Sequence, residues 1–173
     1  MQTFLPGGSS FLNTALDLDN KRLIKQGVES YQILRVNAGL TKGWVNHPAC
    51  KMWRGHEGWL YLYTIRIYDE IAARGFKADT INKVADLVRE QYPDWKDDVP
   101  PPWLKDDRVM ITHRGRLFEK DPTYYPQFEH YSKIYKKFVC CDNGKCTYFW
   151  PSHTVDYQAG VLEKPVDSTT FML

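Results

Sequence analysis

Arg22, Lys25, Gln26, Glu29 and Gln32 recur at helical spacing, so at about 100° per residue they share one side of a helix running from Asp19 to Ala38. A carboxylate set among cations on one helical face has two chemical readings. In the first, Lys25 and Glu29 form an i,i+4 pair on a solvated face and do nothing more. In the second, Arg22 and Lys25 bind phosphates while Glu29, held between them, points at a sugar. The opposite side of the helix supplies a core stripe, Leu23, Gly27, Tyr31 and Leu34 at i, i+4, i+8 and i+11, which is the means of holding the polar face in place.

Helical periodicity dominates the first two-thirds of the chain. The first helix stops at Gly39, where a left-handed residue closes the last turn without strain. A second helix starts after Asn46-His47-Pro48, with Asn46 as cap and Pro48 in the first turn, breaks near Gly55 and Gly58, and continues from Trp59 to Ala73. A third covers Asp79 to Gln91 and a fourth Lys105 to Glu119, joined by a surface connection over Asp94 to Trp103 that contains Pro100-Pro101-Pro102. Asn143-Gly144 between Phe138-Val139 and Thr147-Tyr148-Phe149-Trp150 is a strong hairpin signal. The expected fold is therefore mainly α: a compact single-domain helical fold over residues 1–151 with a small β-hairpin near the C-terminus, followed by a strap or tail over 152–173.

Composition narrows the function classes. The chain of 173 residues has a formal net charge of +2, which excludes a protein that coats nucleic acid indiscriminately and requires any nucleic-acid site to be a local patch. Charges interrupt every apolar stretch before it reaches the roughly twenty residues of a membrane span. The N-terminus lacks the basic opening and apolar run of a signal peptide, so a soluble, cytoplasmic protein is expected. Aromatics make up 14% of the chain, with six Trp and eleven Tyr, but such residues serve a core as readily as a stacking cleft. Cys140, Cys141 and Cys146 cluster on the expected hairpin while Cys50 stands apart; Cys-Cys-x4-Cys lacks the Cys-x2-Cys pair of a zinc site, so reduced thiols and no metal are expected.

Seven pieces, in order, give the chain a resemblance: Met1-Gln2-Thr3-Phe4-Leu5-Pro6; Leu18-Asp19-x-x-Arg22-Leu23-x-Lys25-Gln26-x-x-Glu29; Asn46-His47-Pro48-Ala49-x-x-Met52-Trp53; Arg74-Gly75-Phe76; His113-Arg114-x-x-Leu117; Lys120-Asp121-Pro122-x-Tyr124-Tyr125; and Trp150-Pro151. Together they resemble the pyrimidine-dimer DNA glycosylase/AP-lyase family, the phage-type endonuclease V and its bacterial relatives. The resemblance implies a helical fold whose N-terminus threads into the centre of the site. It also implies an α-amino group that attacks the sugar C1′ of a damaged nucleotide and leaves an imine. Glu29 then falls on the catalytic glutamate, stabilising the sugar cation and assisting the proton transfers of β-elimination. The resemblance implies the amine of Met1, or of Gln2 after processing, as the nucleophile, the alternative being a weak or absent lyase step.

Gln2 is bulky where the phage-type enzyme exposes a small residue, and Val28 and Gln32 stand where that enzyme carries arginines, which shifts phosphate clamping to Arg22 and Lys25. Gln26, His47, Arg54, Arg114, Lys120 and Tyr124 are the further candidates for DNA contact. Each has a plain alternative: His47 as a loop hydrogen-bonding residue, the cations as solvated surface, Tyr124 or Tyr125 as packing. Met52 and Trp53 read as core. The implied partner is double-stranded DNA containing a damaged base, met by a monomer without metal or cofactor in a bacterial cell or phage-infected host. Two other readings stay open: a glycosylase for another modified or oxidised base, and a catalytically silent DNA-binding module.

Overall fold

The computed structural model describes residues 2–139 and 147–151. The chain forms two compact units, the first ending at Pro101 and the second beginning at Pro102. Seven α-helices occur among the described residues: α1 (Phe11–Asp17), α2 (Asn20–Asn37), α3 (Pro48–Trp53), α4 (Glu57–Ala73) and α5 (Thr80–Gln91) in the first unit, α6 (Asp107–Lys120) and α7 (Glu129–Ile134) in the second. None of them is long and apolar enough to cross a membrane.

In the first unit α2 packs along α4, with α1, α3 and α5 around them. Asp19 caps α2: its Oδ1 accepts from the backbone N–H of Arg22 at 3.0 Å, and its Oδ2 takes the Arg22 guanidinium. Leu23, Ile33 and Leu34 of α2 and Leu60, Tyr63 and Ile67 of α4 are fully buried. Each such side chain contributes roughly 1.5–3 kcal/mol by leaving water. Gly27 permits the close approach of the two helices, since a Cβ there would lie 2.9 Å from the Tyr68 ring.

The α3 cap differs from the expectation. His47, not Asn46, takes that position, because His47 has extended backbone angles and its Nδ1 accepts the Ala49 N–H at 3.1 Å, which Asn46, one residue earlier, is not placed to do. The break between α3 and α4 falls at Arg54–His56, whereas Gly58 lies inside α4, under the backbone carbonyl of Trp95. The connection at Asp94–Trp103 is not merely surface chain: Asp98 Oδ2 accepts from Gly58 N at 2.6 Å and Trp103 is buried. Arg74 of the Arg74-Gly75-Phe76 piece reaches back to the carbonyls of Ala15, Leu16 and Leu18, satisfying groups that the end of α1 leaves open.

The second unit is built on α6. Val109, Ile111 and Leu117 of α6 are buried, as are Tyr125, Phe128, Tyr135 and Phe149, and Tyr125 and Phe128 stack at 5.7 Å. The expected hairpin is not supported. No strand occurs among the described residues. Tyr135–Phe138, which precedes Asn143-Gly144 in sequence, forms a 3₁₀ turn whose Tyr135 is buried and donates to Glu119 at 2.8 Å. Beyond the stretch of sequence expected to turn, Phe149 N donates to Thr112 Oγ1 of α6. Packing on α6 engages the Phe149 N–H that a ladder could use, and an isolated two-stranded ribbon has little stability of its own. The turn itself with Cys140, Cys141 and Cys146, and the strap at 152–173, lie outside the described residues.

Candidate active site

Glu29 lies on an inward-facing arc of α2 and is only 6% exposed. Its Oε2 accepts from Gln26 Nε2 at 3.2 Å and its Oε1 lies 3.7 Å from Lys25 Nζ. The Lys25 side chain is 67% exposed, so this pair contributes little to stability.

Gln26 is fully buried, and its Oε1 accepts from the backbone N–H of Phe4 at 2.8 Å and lies 2.9 Å from the Tyr63 hydroxyl. That hydroxyl is also 3.1 Å from the Phe4 carbonyl, so its single proton serves both oxygens. Burial first, and the Glu29 charge second, push the Tyr63 phenol well above its usual range, which keeps it a donor. An unmatched buried amide would cost about 1–3 kcal/mol. The network spends Gln26 on joining the chain's beginning to its catalytic candidate.

Trp53 of α3 completes the anchorage by donating Nε1–H to Thr3 Oγ1 at 2.8 Å. Gln2, Thr3, Phe4 and Leu5 are all buried, and α2, α3 and α4 each contribute a side chain that grips them. A short buried segment thus runs through the interior, joined to Glu29 through Gln26. Met1 lies outside the described residues.

His47 is half-buried. Burial, and then the positive charge of the N-terminus, lower its pKa, so near neutral pH it is uncharged, with Nδ1 as acceptor and the ring proton on Nε2. Cys50 is buried, and burial raises its thiol pKa, against the influence of Arg54 and the N-terminus. It is a packed thiol rather than a nucleophile. From Ser30 to His56 the chain carries Arg35, Lys42, Lys51 and Arg54 and no Asp or Glu, which makes this stretch locally basic.

The other candidates separate by what they touch. Arg22 is engaged by Asp19, and Arg54 is exposed with Nη2 donating to Val45 O at 3.0 Å. In the second unit Arg114 donates to the Tyr131 hydroxyl at 2.6 Å and lies against the Phe128 and Tyr131 rings, which makes it an internal strut. Lys120 is exposed at the end of α6. Tyr124 is 45% exposed while Tyr125 is fully buried. The gripping residues Thr3, Trp53 and Tyr63 were not singled out for the site by sequence, where Trp53 read as core only; their polar atoms meet partners 50 and 59 positions away.

Residues 1–83 match the family model described as pyrimidine dimer DNA glycosylase. The match takes in the buried N-terminal segment, Glu29, His47, Trp53 and Tyr63; the pieces of resemblance between His113 and Pro151 lie beyond it. No curated protein and no solved structure matches the chain.

Proposed function

We propose, from the match of residues 1–83 to the pyrimidine dimer DNA glycosylase family model, that the chain excises UV-induced pyrimidine dimers from duplex DNA and then cuts the strand at the abasic sugar. The observation that carries this reading is the buried N-terminal segment held beside Glu29 by Gln26 and Tyr63. A terminal amine is a better nucleophile near neutral pH than a lysine amine, because an α-amine titrates around 8 and lysine around 10.4. The amine of Met1, or of Gln2 after processing, attacks C1′ as the glycosidic bond breaks, and the base leaves with the bonding pair. Loss of an amine proton and opening of the sugar ring, in which the C1′–O4′ bond breaks and O4′ takes up a proton, give a protonated imine. Glu29 stabilises the positive sugar and takes a proton from C2′ as the C3′–O bond breaks. Lys25 and Arg54 contact phosphates around the site, His47 donates from Nε2, and Gln26 acts by positioning rather than by touching DNA.

Nicking of a UV-irradiated duplex, an abasic-site duplex and an undamaged duplex tests the reading. Cleavage of the first two and not the third is expected, with borohydride during turnover trapping a covalent adduct that peptide mapping places at the N-terminal residue. Cleavage of the abasic duplex alone would assign the base to another lesion. No cleavage of either would leave a silent binding module.

A further inference from the structure

The loop between α2 and α3 presents an indole to solvent in an unusual backbone conformation. Trp44 is 62% exposed, and with φ 66° it is the one non-glycine among the described residues in the left-handed region. A bulky side chain there is strained, and such strain persists only where the surroundings hold it. The surroundings do hold it: Trp44 O accepts from His47 N at 2.8 Å, Val45 O accepts from Arg54 Nη2 at 3.0 Å, and the His47 ring stands edge-on to the indole at 5.4 Å. The loop belongs to the acid-free stretch with Lys42, Lys51 and Arg54. The helix that follows connects the loop to the site: His47 caps α3, and Trp53 of α3 donates to Thr3 in the segment that Gln26 joins to Glu29.

An exposed, rigidly presented aromatic in a basic loop beside a glycosylase site has a specific use. To reach C1′ the enzyme must take a nucleotide out of the stack, and the gap left in the duplex is filled by a flat apolar group. We propose that Trp44 is that group: its indole enters the duplex next to the lesion and stacks on the neighbouring base, with His47 as its buttress. This rests on the reading of the chain as a DNA glycosylase.

The test uses the full chain and two variants. Trp44→Gly removes the ring and relieves the left-handed backbone, so folding is preserved, and Trp44→Phe keeps an aromatic plane. The probe is a duplex with 2-aminopurine beside an abasic-site analogue. Wild type is expected to quench the probe on binding. Trp44→Gly should lose the quenching and at least about tenfold in nicking of UV-irradiated duplex, with affinity for undamaged duplex within about twofold of wild type; Trp44→Phe should restore most of both. Normal quenching and nicking by Trp44→Gly in an active background overturns the inference and leaves the function standing. An equal loss of affinity for undamaged duplex also overturns it, as that would make Trp44 a general contact. A wild type that neither nicks nor binds damaged duplex overturns the function and the inference together.

Discussion

Glu29 and the cations near it differ in how their partners constrain them. Glu29→Gln preserves shape and the contact with Gln26 but removes the charge that the proposed chemistry requires. Nicking should fall by at least about a hundredfold while duplex binding is retained, and single-turnover cleavage beside a binding titration separates the two. Near-normal cleavage would sink the role of Glu29. Lys25 and Arg22 occupy the same helix but should not behave alike. Lys25 reaches solvent, so Lys25→Ala should lower the log–log salt slope of DNA binding by about one. Arg22 is taken up by the Asp19 cap, so Arg22→Ala should shift the slope less and weaken the start of α2 instead. Equal slope changes would return Arg22 to the phosphate contacts.

At the scale of elements, the close approaches decide which helical glycines are replaceable. Alanine in place of glycine inside a helix is ordinarily favourable by about 0.5–1 kcal/mol. At Gly58, however, a Cβ would meet the Trp95 carbonyl at 2.1 Å, and backbone cannot step aside as a side chain can. Gly58→Ala should therefore destabilise the first unit by roughly 1–3 kcal/mol, read as a lower Tm. Gly27→Ala should lose less, because its Cβ meets the Tyr68 ring, which can shift. A Gly58→Ala protein at least as stable as wild type would refute the contact. The end of α2 at Asn37 and its start after Asp19 follow from cap chemistry within a few residues, and both were legible. The short α1 and α7 were not, since neither has the length for a clear periodic signal.

Across the molecule, acid should destabilise the second unit through His113. That imidazole is 1% exposed within α6, and burial pushes its pKa down to about 3. Because the folded value lies below the unfolded value of 6.5, the unfolded state binds the extra proton first. The contribution of a neutral His113 is full above about pH 6.5 and is lost as pH falls from there towards about 3, at up to about 1.4 kcal/mol per pH unit. Urea melts at pH 7.5, 6 and 5 should show that slope in wild type and a shallower one in His113→Gln. Parallel slopes would remove His113 as the cause.

A mainly helical chain, the placement of α2, the resemblance of the N-terminal residues to the pyrimidine dimer glycosylase model and Glu29 as the residue to examine were all legible in the sequence, because caps, periodicity and ordered motifs are local signals. Which side of α2 faces inward depends on contacts from distant parts of the chain. The wheel set Gln26 and Glu29 on a polar side, yet both are buried, while Ile24 and Val28 on another side are exposed. Polarity predicts exposure only when no partner is supplied, and here Phe4 and Tyr63 supply hydrogen bonds to Gln26 from 22 and 37 positions away. The hairpin expectation is unsupported at its described flanks for a related reason: Phe138 ends a 3₁₀ turn, and Phe149 N donates to Thr112 Oγ1 of α6. Burial, the grip on residues 2–5 and the strained outward set of Trp44 depend on contacts between distant parts of the chain, and a one-dimensional pattern carries no record of which distant group will arrive.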